Sequence, residues 1–383
     1  MRRFPTVYLD YNASTPLDPV VRDVVIAGFE SWGNPSSVHH VGQEARALLD
    51  DARDRVASVF RCRPSEIVFT GGGTEANNLA ILGAARARVS KGRHLICSPT
   101  EHPAVLQCFE HLARHEGFEV SWLPVDAVGR VDPEAVCAAI RPDTTLVSVM
   151  AANNETGVHQ PFAAIGRICR EREVLYHCDA VQWFGKEPVP GMACFEADLV
   201  SFCAHKLHGP KGVGLVYLRA PLVLSRHMLG GPQENDRRAG TENLPLVLGL
   251  ASAIERFLSP GVFPTVDLQA LAHSLTTAVA SVEGVQVVGP STGRLSNTVG
   301  FVLGGSDSLA LLANLDLEGI CASSGSACSA GALEPSHVLL AQGYPPSLAA
   351  AFVRFSLGRE TSAEQIRSVC DRLPAILARS RGC

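Results

Sequence analysis

Glu66-Ile67-Val68-Phe69-Thr70-Gly71-Gly72-Gly73-Thr74-Glu75-Ala76-Asn77-Asn78-Leu79-Ala80 is the stretch whose reading decides the fold. Glu66 to Thr70 reads as a strand, and Ala76 to Ala80 as the opening of a helix. Glycines in the turn between them let the backbone approach an anion closely. The helix start adds free N–H groups and the positive end of its dipole. The carboxyl end of a parallel strand is where open α/β folds bind ligands. The turn is neither a dinucleotide G-x-G-x-x-G nor a P-loop, since no Gly-Lys-Ser/Thr follows. Alone, it fits an ordinary turn as well as a phosphate cradle.

Outward from this unit, short apolar runs alternate with helix-length amphipathic segments. Val38 to Phe60 predicts a long helix. Further strands are expected at His94–Cys97, Glu119–Leu123, Leu146–Met150, Val174–Cys178, Leu199–Phe202 and Val213–Leu218. This alternation implies an α/β fold whose large domain has a mainly parallel seven-stranded sheet flanked by helices. The pattern then changes. Helices at Asn243–Leu258, Val266–Val282 and Asp307–Leu317 accompany strands at Gln286–Val288, Thr298–Val302 and Phe352–Ser356. The expected division is a large domain over 15–255 and a smaller α+β domain formed by 1–14 and 256–383.

Composition narrows the function. The chain has 383 residues, 46% hydrophobic and 19% charged, enough for a large core and about two domains. Its net charge of -5, with no basic stripe, argues against direct nucleic-acid binding. No apolar run follows Met1, which predicts no signal peptide, and none approaches the roughly 20 residues of a membrane span. The twelve cysteines include no C-x-x-C pair, so no metal site is expected. A reducing cytoplasm fits them better than a disulfide framework.

Three features carry chemistry. Asp179 ends the apolar strand Val174–Cys178, and a carboxylate there needs a partner. A protonated pyridine nitrogen would serve, and so would a core arginine. Lys206 follows a strand and precedes the turn Gly209-Pro210-Lys211-Gly212, where burial lowers a lysine's pKa and permits a Schiff base. Lysine, aspartate and phosphate cradle together are what pyridoxal phosphate requires. Finally, Ser323-Ser324-Gly325-Ser326-Ala327-Cys328-Ser329-Ala330-Gly331 sets one cysteine among small residues without apolar periodicity. That pattern reads as a mobile loop, at about 321–334, presenting a thiol able to travel.

The motifs then become specific. Tyr8-Leu9-Asp10-Tyr11-Asn12-Ala13, Gly33-Asn34-Pro35-Ser36-Ser37, Gly72-Gly73-Thr74-Glu75-Ala76-Asn77-Asn78, Glu101-His102-Pro103 and Asn153-Asn154-Glu155-Thr156-Gly157 occur in order. His177-Cys178-Asp179-Ala180-Val181-Gln182, His205-Lys206, Arg238-Ala239-Gly240-Thr241-Glu242-Asn243 and Val353-Arg354-Phe355-Ser356 follow. The chain resembles the cysteine desulfurases of the class V aminotransferase group, fold-type I pyridoxal phosphate enzymes. The loop around Cys328 is similar to that of the nitrogen-fixation and iron–sulfur housekeeping group.

The resemblance implies roles. Lys206 would hold the cofactor as a Schiff base and shuttle the proton. His102 would stack on the ring, Asp179 would meet its nitrogen and Gln182 its phenolate oxygen. Gly73, Thr74 and His205 would bind the phosphate, with Cys203 where relatives often carry serine. Thr241 would reach the phosphate of a neighbouring subunit, which implies a homodimer. Asn154 would lie beside cofactor and substrate, and Asn34 and Arg354 would hold the substrate carboxylate. Cys328 would take sulfur from L-cysteine as a persulfide, release L-alanine and pass the sulfur to an acceptor protein. An iron–sulfur scaffold, a thiolation relay, DNA-sulfur modification or nitrogenase maturation would each supply such an acceptor. Selenocysteine lyase and class V aminotransferase are the alternative activities, and a sulfur carrier without catalysis is the non-enzymatic one. Cys203, Ala204 and the bulky Trp183-Phe184 depart from the family's usual residues and bear on cofactor affinity and access.

Overall fold

The computed structural model describes residues 5–325 and 334–381. Twelve strands are found among them. In chain order they are β1 (Val7–Tyr8), β2 (Ile67–Thr70), β3 (His94–Cys97), β4 (Glu119–Trp122), β5 (Thr144–Ser148) and β6 (Leu175–Asp179). β7 (Leu199–Cys203), β8 (Gly214–Leu218), β9 (Val285–Val288), β10 (Thr298–Leu303), β11 (Ile320–Cys321) and β12 (Phe352–Ser356) follow. The seven strands expected between residues 66 and 218 form one sheet, in the order β2-β8-β7-β6-β5-β3-β4. β8 runs antiparallel to both its neighbours, while the other pairings are parallel. Six strands therefore point their carboxyl ends the same way.

Side-chain alternation explains the layers. Val68, Leu95, Cys97, Leu146, Leu175, Leu199, Val216 and Leu218 pack with the helices Gly73–Ala87 and Pro103–His115. Their sequence neighbours Ile67, Phe69, Ile96, Val147, Tyr176, Val200, Phe202 and Leu215 join the opposite core, with the helices His40–Phe60, Phe162–Glu171 and Leu244–Phe257. Successive residues of a strand face opposite ways, so a strand apolar at every position is covered on both sides. The long helix starts at His40 rather than Val38 because the His39 side chain accepts from the Gly42 amide and caps it.

Two histidines tie the parallel strands together inside the sheet. His177 of β6 reaches Ser148 Oγ of β5 at 2.8 Å and Ser201 Oγ of β7 at 2.9 Å. His94 of β3 bridges Thr144 and Ser121 of its two neighbours in the same way. Both polar atoms of each ring are satisfied, which removes most of the cost of burying it.

The remaining strands form a three-stranded antiparallel sheet, β12-β10-β9, and a two-stranded parallel ribbon. In the ribbon Val7 pairs with Ile320 and Tyr8 with Cys321. The N-terminal arm thus runs beside β11, and Asp10 then bridges to Ser356 of β12. From there residues 11–15 cross to the carboxyl edge of the large sheet, where the Thr15 amide donates to His205 O at 2.9 Å. Among the described residues no helix is long and apolar enough to cross a membrane.

Burial pushes His177 down to about 4, against the attraction of Asp179. A base depressed in the folded state contributes stability that is intact above its unfolded value and is lost as pH falls toward the folded one. On lowering the pH from 7 to 4, the free energy of denaturant unfolding is expected to fall by up to about 3 kcal/mol more in the wild type than in His177→Gln, whose side chain is polar but does not titrate. Equal acid losses in the two proteins would contradict this.

Candidate active site at the carboxyl edge of the sheet

The chain leaves β2, β3, β5, β6 and β7 along one edge and encloses a cavity of about 170 Å³. Gly73, Thr74 and Asn77 come from the turn and helix after β2, and His102 from the turn after β3. Asn154 follows β5, Asp179 and Gln182 end β6, and Cys203, His205 and Lys206 end β7. Asn12 and Ala13 of the arm and Arg354 of β12 close it. Most of the expected site residues therefore meet at one place. Asn34 and Thr241 are exposed and do not line the cavity within this chain. Cys328 lies outside the described residues.

The cradle has the form expected of an anion site. Gly72 caps the helix at φ +148°, a conformation essentially reserved for glycine, and no side chain competes for the amides of the first turn. A Cβ on Gly73 would stand 3.3 Å from Val181 Cγ2 and 3.5 Å from Cys203 Cβ, inside the space facing those amides. Glu75 turns back to accept from Gly71 N at 2.8 Å and from Arg238 Nε at 2.7 Å, leaving the amide face clear. His205, at the same end, is pushed down to about 4 by burial and by Lys206 and Lys211. Near neutral pH it is a neutral imidazole. Burial lifts the Cys203 thiol to about 11, so it too is neutral.

Asp179 is held by two donors. Asn77 Nδ2 stands 2.7 Å from Oδ2 and the Val181 amide 3.0 Å from Oδ1. Asn77 was not singled out by sequence, although it sits four residues after Gly73, on the same helix face. Lys206 closes a 3-10 turn, Ala204–Lys206, and its Nζ donates to Asn12 O at 2.5 Å and Ala13 O at 2.7 Å. Gly209 is required behind it, since a Cβ there would stand 2.7 Å from Ala204 Cβ.

His102 caps the helix that Pro103 begins, accepting from the Ala104 amide through Nδ1 at 3.1 Å. Accepting at Nδ1 leaves the proton of the neutral ring on Nε2. Burial lowers this histidine's pKa, opposed by Asp179 and assisted by Lys206 and His337. Glu101 beside it is wholly buried, accepts from Met150 N at 2.6 Å, and is raised well above the usual carboxylate range by burial and by Asp179. Sequence reading gave this buried carboxyl no role.

Arg354 is 1% exposed. Its guanidinium donates to Asp10 Oδ1 at 2.7 Å, Asn154 O at 2.8 Å and Gly325 O at 3.3 Å. Its buried Nε–H has no hydrogen-bond partner among the described residues. Arg354 is thus ion-paired with Asp10, and it lines the cavity.

These residues fit pyridoxal phosphate by the chemistry of their donors. A helix N-terminus and neutral histidine suit the phosphate, a carboxylate suits the pyridinium nitrogen, and a buried lysine suits the aldehyde. Among the described residues no group of three or more histidine, cysteine, aspartate or glutamate side chains could hold a metal ion.

Comparison with known proteins agrees. The family described as aminotransferase class-V matches residues 7–369. "Cysteine desulfurase IscS" of Dictyoglomus turgidum is 41% identical over 381 residues, covering 98% of this chain and 95% of its own. A solved structure described as "NifS-like protein" superposes with a TM-score of 0.89 at 35% identity, covering 97% of this chain and 99% of its own. One described as "SspA in complex with cysteine" does so with a TM-score of 0.81 at 33% identity, covering 93% and 100%. The chain belongs to the aminotransferase class-V family of pyridoxal phosphate enzymes, alongside the IscS and NifS-like cysteine desulfurases.

Proposed function

We propose that this chain is a cysteine desulfurase that converts L-cysteine to L-alanine and leaves the sulfur as a persulfide on Cys328. The carrying observation is the single cavity that gathers Lys206, Asp179, Gln182, His102, the Gly73-Thr74 cradle and Arg354. Bound pyridoxal phosphate supplies the sink for the electron pair left at the substrate α-carbon.

The residues divide the work. Lys206 would hold the cofactor covalently and, when free, would move the proton at the substrate α-carbon. Asp179, steadied by Asn77 and Val181, would accept from the pyridinium N–H and favour its protonation. Gln182 would donate to the phenolate oxygen. Gly73, Thr74 and His205 would hold the phosphate, with Cys203 near. His102 would lie against the ring, and its Nε2 would give and retrieve a proton. Arg354 and Asn154 would receive the substrate carboxylate.

Gly325 O, held by Arg354, lies three residues before Cys328, a reach of at most about 10 Å. The Cys328 thiolate attacks the substrate sulfur, an S–S bond forms and the Cβ–S bond breaks with its electron pair on carbon. That carbon takes a proton and becomes the methyl of alanine. Sulfur is oxidised and carbon reduced by the same two electrons, so no outside oxidant is needed. An acceptor thiol on a scaffold or thiolation-relay protein then takes the terminal sulfur.

We further read the protein as a cytoplasmic homodimer with domains at 15–255 and at 1–14 with 256–383. Support for the dimer comes from the Thr241 loop. It is tied to its own chain by Arg238–Glu75 and by the buried Arg53–Glu234 pair at 2.6 Å, and Thr241 is exposed away from its own cavity. Asn34 is assigned with Thr241 to the site completed by a second copy.

Purified, cofactor-loaded protein under reductant is expected to release alanine and sulfide from L-cysteine in equal amounts. Cys328→Ala should form neither product while still binding L-cysteine; full turnover in that variant would remove the thiol from the mechanism. Arg354→Lys keeps a charge but loses the planar fork, so KM for L-cysteine should rise about tenfold or more, with a smaller change in kcat. An unchanged KM would place the substrate carboxylate elsewhere.

A further inference from the structure

Lys186 is a buried lysine that the mechanism above does not use. It follows Phe184-Gly185 after β6, is 4% exposed, and its Nζ bonds Gln182 and Asn12, two residues that line the cavity. It donates to Gln182 Oε1 at 2.5 Å and to Asn12 Oδ1 at 2.7 Å, and it sits 5.3 Å from the centroid of the Phe263 ring. No carboxylate lies within ion-pair distance of it among the described residues. The charged or titratable groups that act on it are Lys206, Arg354 and Cys203. Burial, then Lys206 and Arg354, hold it well below the ordinary lysine range.

An amide side chain can point either way, and its neighbours decide which end is oxygen. Backbone carbonyls only accept, so the ends of Gln182 and Asn12 that face Asn12 O and Asn154 O are NH2 groups, and the atoms Lys186 touches are oxygens. Gln182 Nε2 is turned toward Asn12 O, at 2.9 Å, on the cavity side. Asn12 Nδ2 is turned to Thr298 Oγ1 at 2.9 Å and Asn154 O at 3.2 Å. One buried amine thus joins the oxygen ends of two amides whose NH2 ends are held by backbone carbonyls.

We propose that Lys186 is a positioning residue that holds Gln182 as a hydrogen-bond donor to the cofactor's ring oxygen. The inference rests on the reading that this cavity holds pyridoxal phosphate on Lys206. A phenolate oxygen only accepts. A reversed Gln182 would set oxygen against oxygen, and the ring oxygen would lose its donor. A donor at that oxygen stabilises its charge and lowers the pH at which the nitrogen linking the cofactor to Lys206 gives up its proton.

The test is the pH midpoint of the visible absorption of the holoenzyme, without substrate. Lys186→Met should move it upward by about one pH unit. Lys186→Gln, which keeps a donor on a shorter stem, should move it less and covers the case in which Lys186→Met does not fold. Because the effect passes through Gln182, Lys186→Met should cause no further shift in a Gln182→Ala background. An unchanged midpoint in the single variants, or an equal shift in both backgrounds, overturns the proposal. Absence of a visible band in the wild type supplied with pyridoxal phosphate would overturn the cofactor reading itself, a different outcome.

Discussion

Every hydrogen-bonding group of Asn12 is engaged, and the site depends on that saturation. Its amide donates to Ser356 Oγ at 2.9 Å. Its carbonyl accepts from Lys206 and Gln182, and its Oδ1 from Lys186 and Asn297. Its Nδ2 donates to Thr298 and Asn154. The partners come from β7, the turn after β6, β10, β12 and the loop after β5. A buried polar group left unpaired costs about 1 to 3 kcal/mol, so these elements are fixed relative to one another by a residue that has no alternative set of partners. The N-terminal arm reaches this point because β1 is pinned beside β11 and Asp10 beside Arg354.

Charge follows the same rule. The carboxyl edge of the sheet gathers Asp179, Lys206, Lys186 and Arg354 in little solvent. Arg354 pairs with Asp10. Asp179 is met by amides, Lys206 by backbone carbonyls and Lys186 by side-chain carbonyls. Neutral donors orient Asp179 without neutralising it, which leaves its carboxylate to offer a ligand. The neutral histidines 102 and 205 complete a site whose polarity is set before any ligand enters.

Much of this was legible in the sequence. Strands of the large sheet declared themselves because burial on both faces demands unbroken apolar runs, and turn glycines marked their ends. The cradle, Asp179 and Lys206 were legible for the same reason: each directly follows a strand of the expected sheet. The reversal of β8 was not, since direction leaves no mark on an apolar run. The strand after residue 143 sits two residues earlier than expected, because Val149 and Met150 already belong to the turn that packs on Glu101. Lys186, Glu101 and the roles of Asn12 and Asn77 were hidden. Their meaning lies in partners up to 344 residues away, as for Asn12 and Ser356, and nothing local announces them. Asn34 and Thr241 were found by motif, and one chain alone gives them no site.

The central claim is that Lys206 carries the cofactor. The chain has four lysines, at 91, 186, 206 and 211, and two of them, Lys186 and Lys206, are joined to the same asparagine. Reducing the pyridoxal phosphate-loaded protein with borohydride and mapping the modified peptide by mass spectrometry separates them. The account predicts the label on Lys206 alone. A label on Lys186, or none, would contradict it.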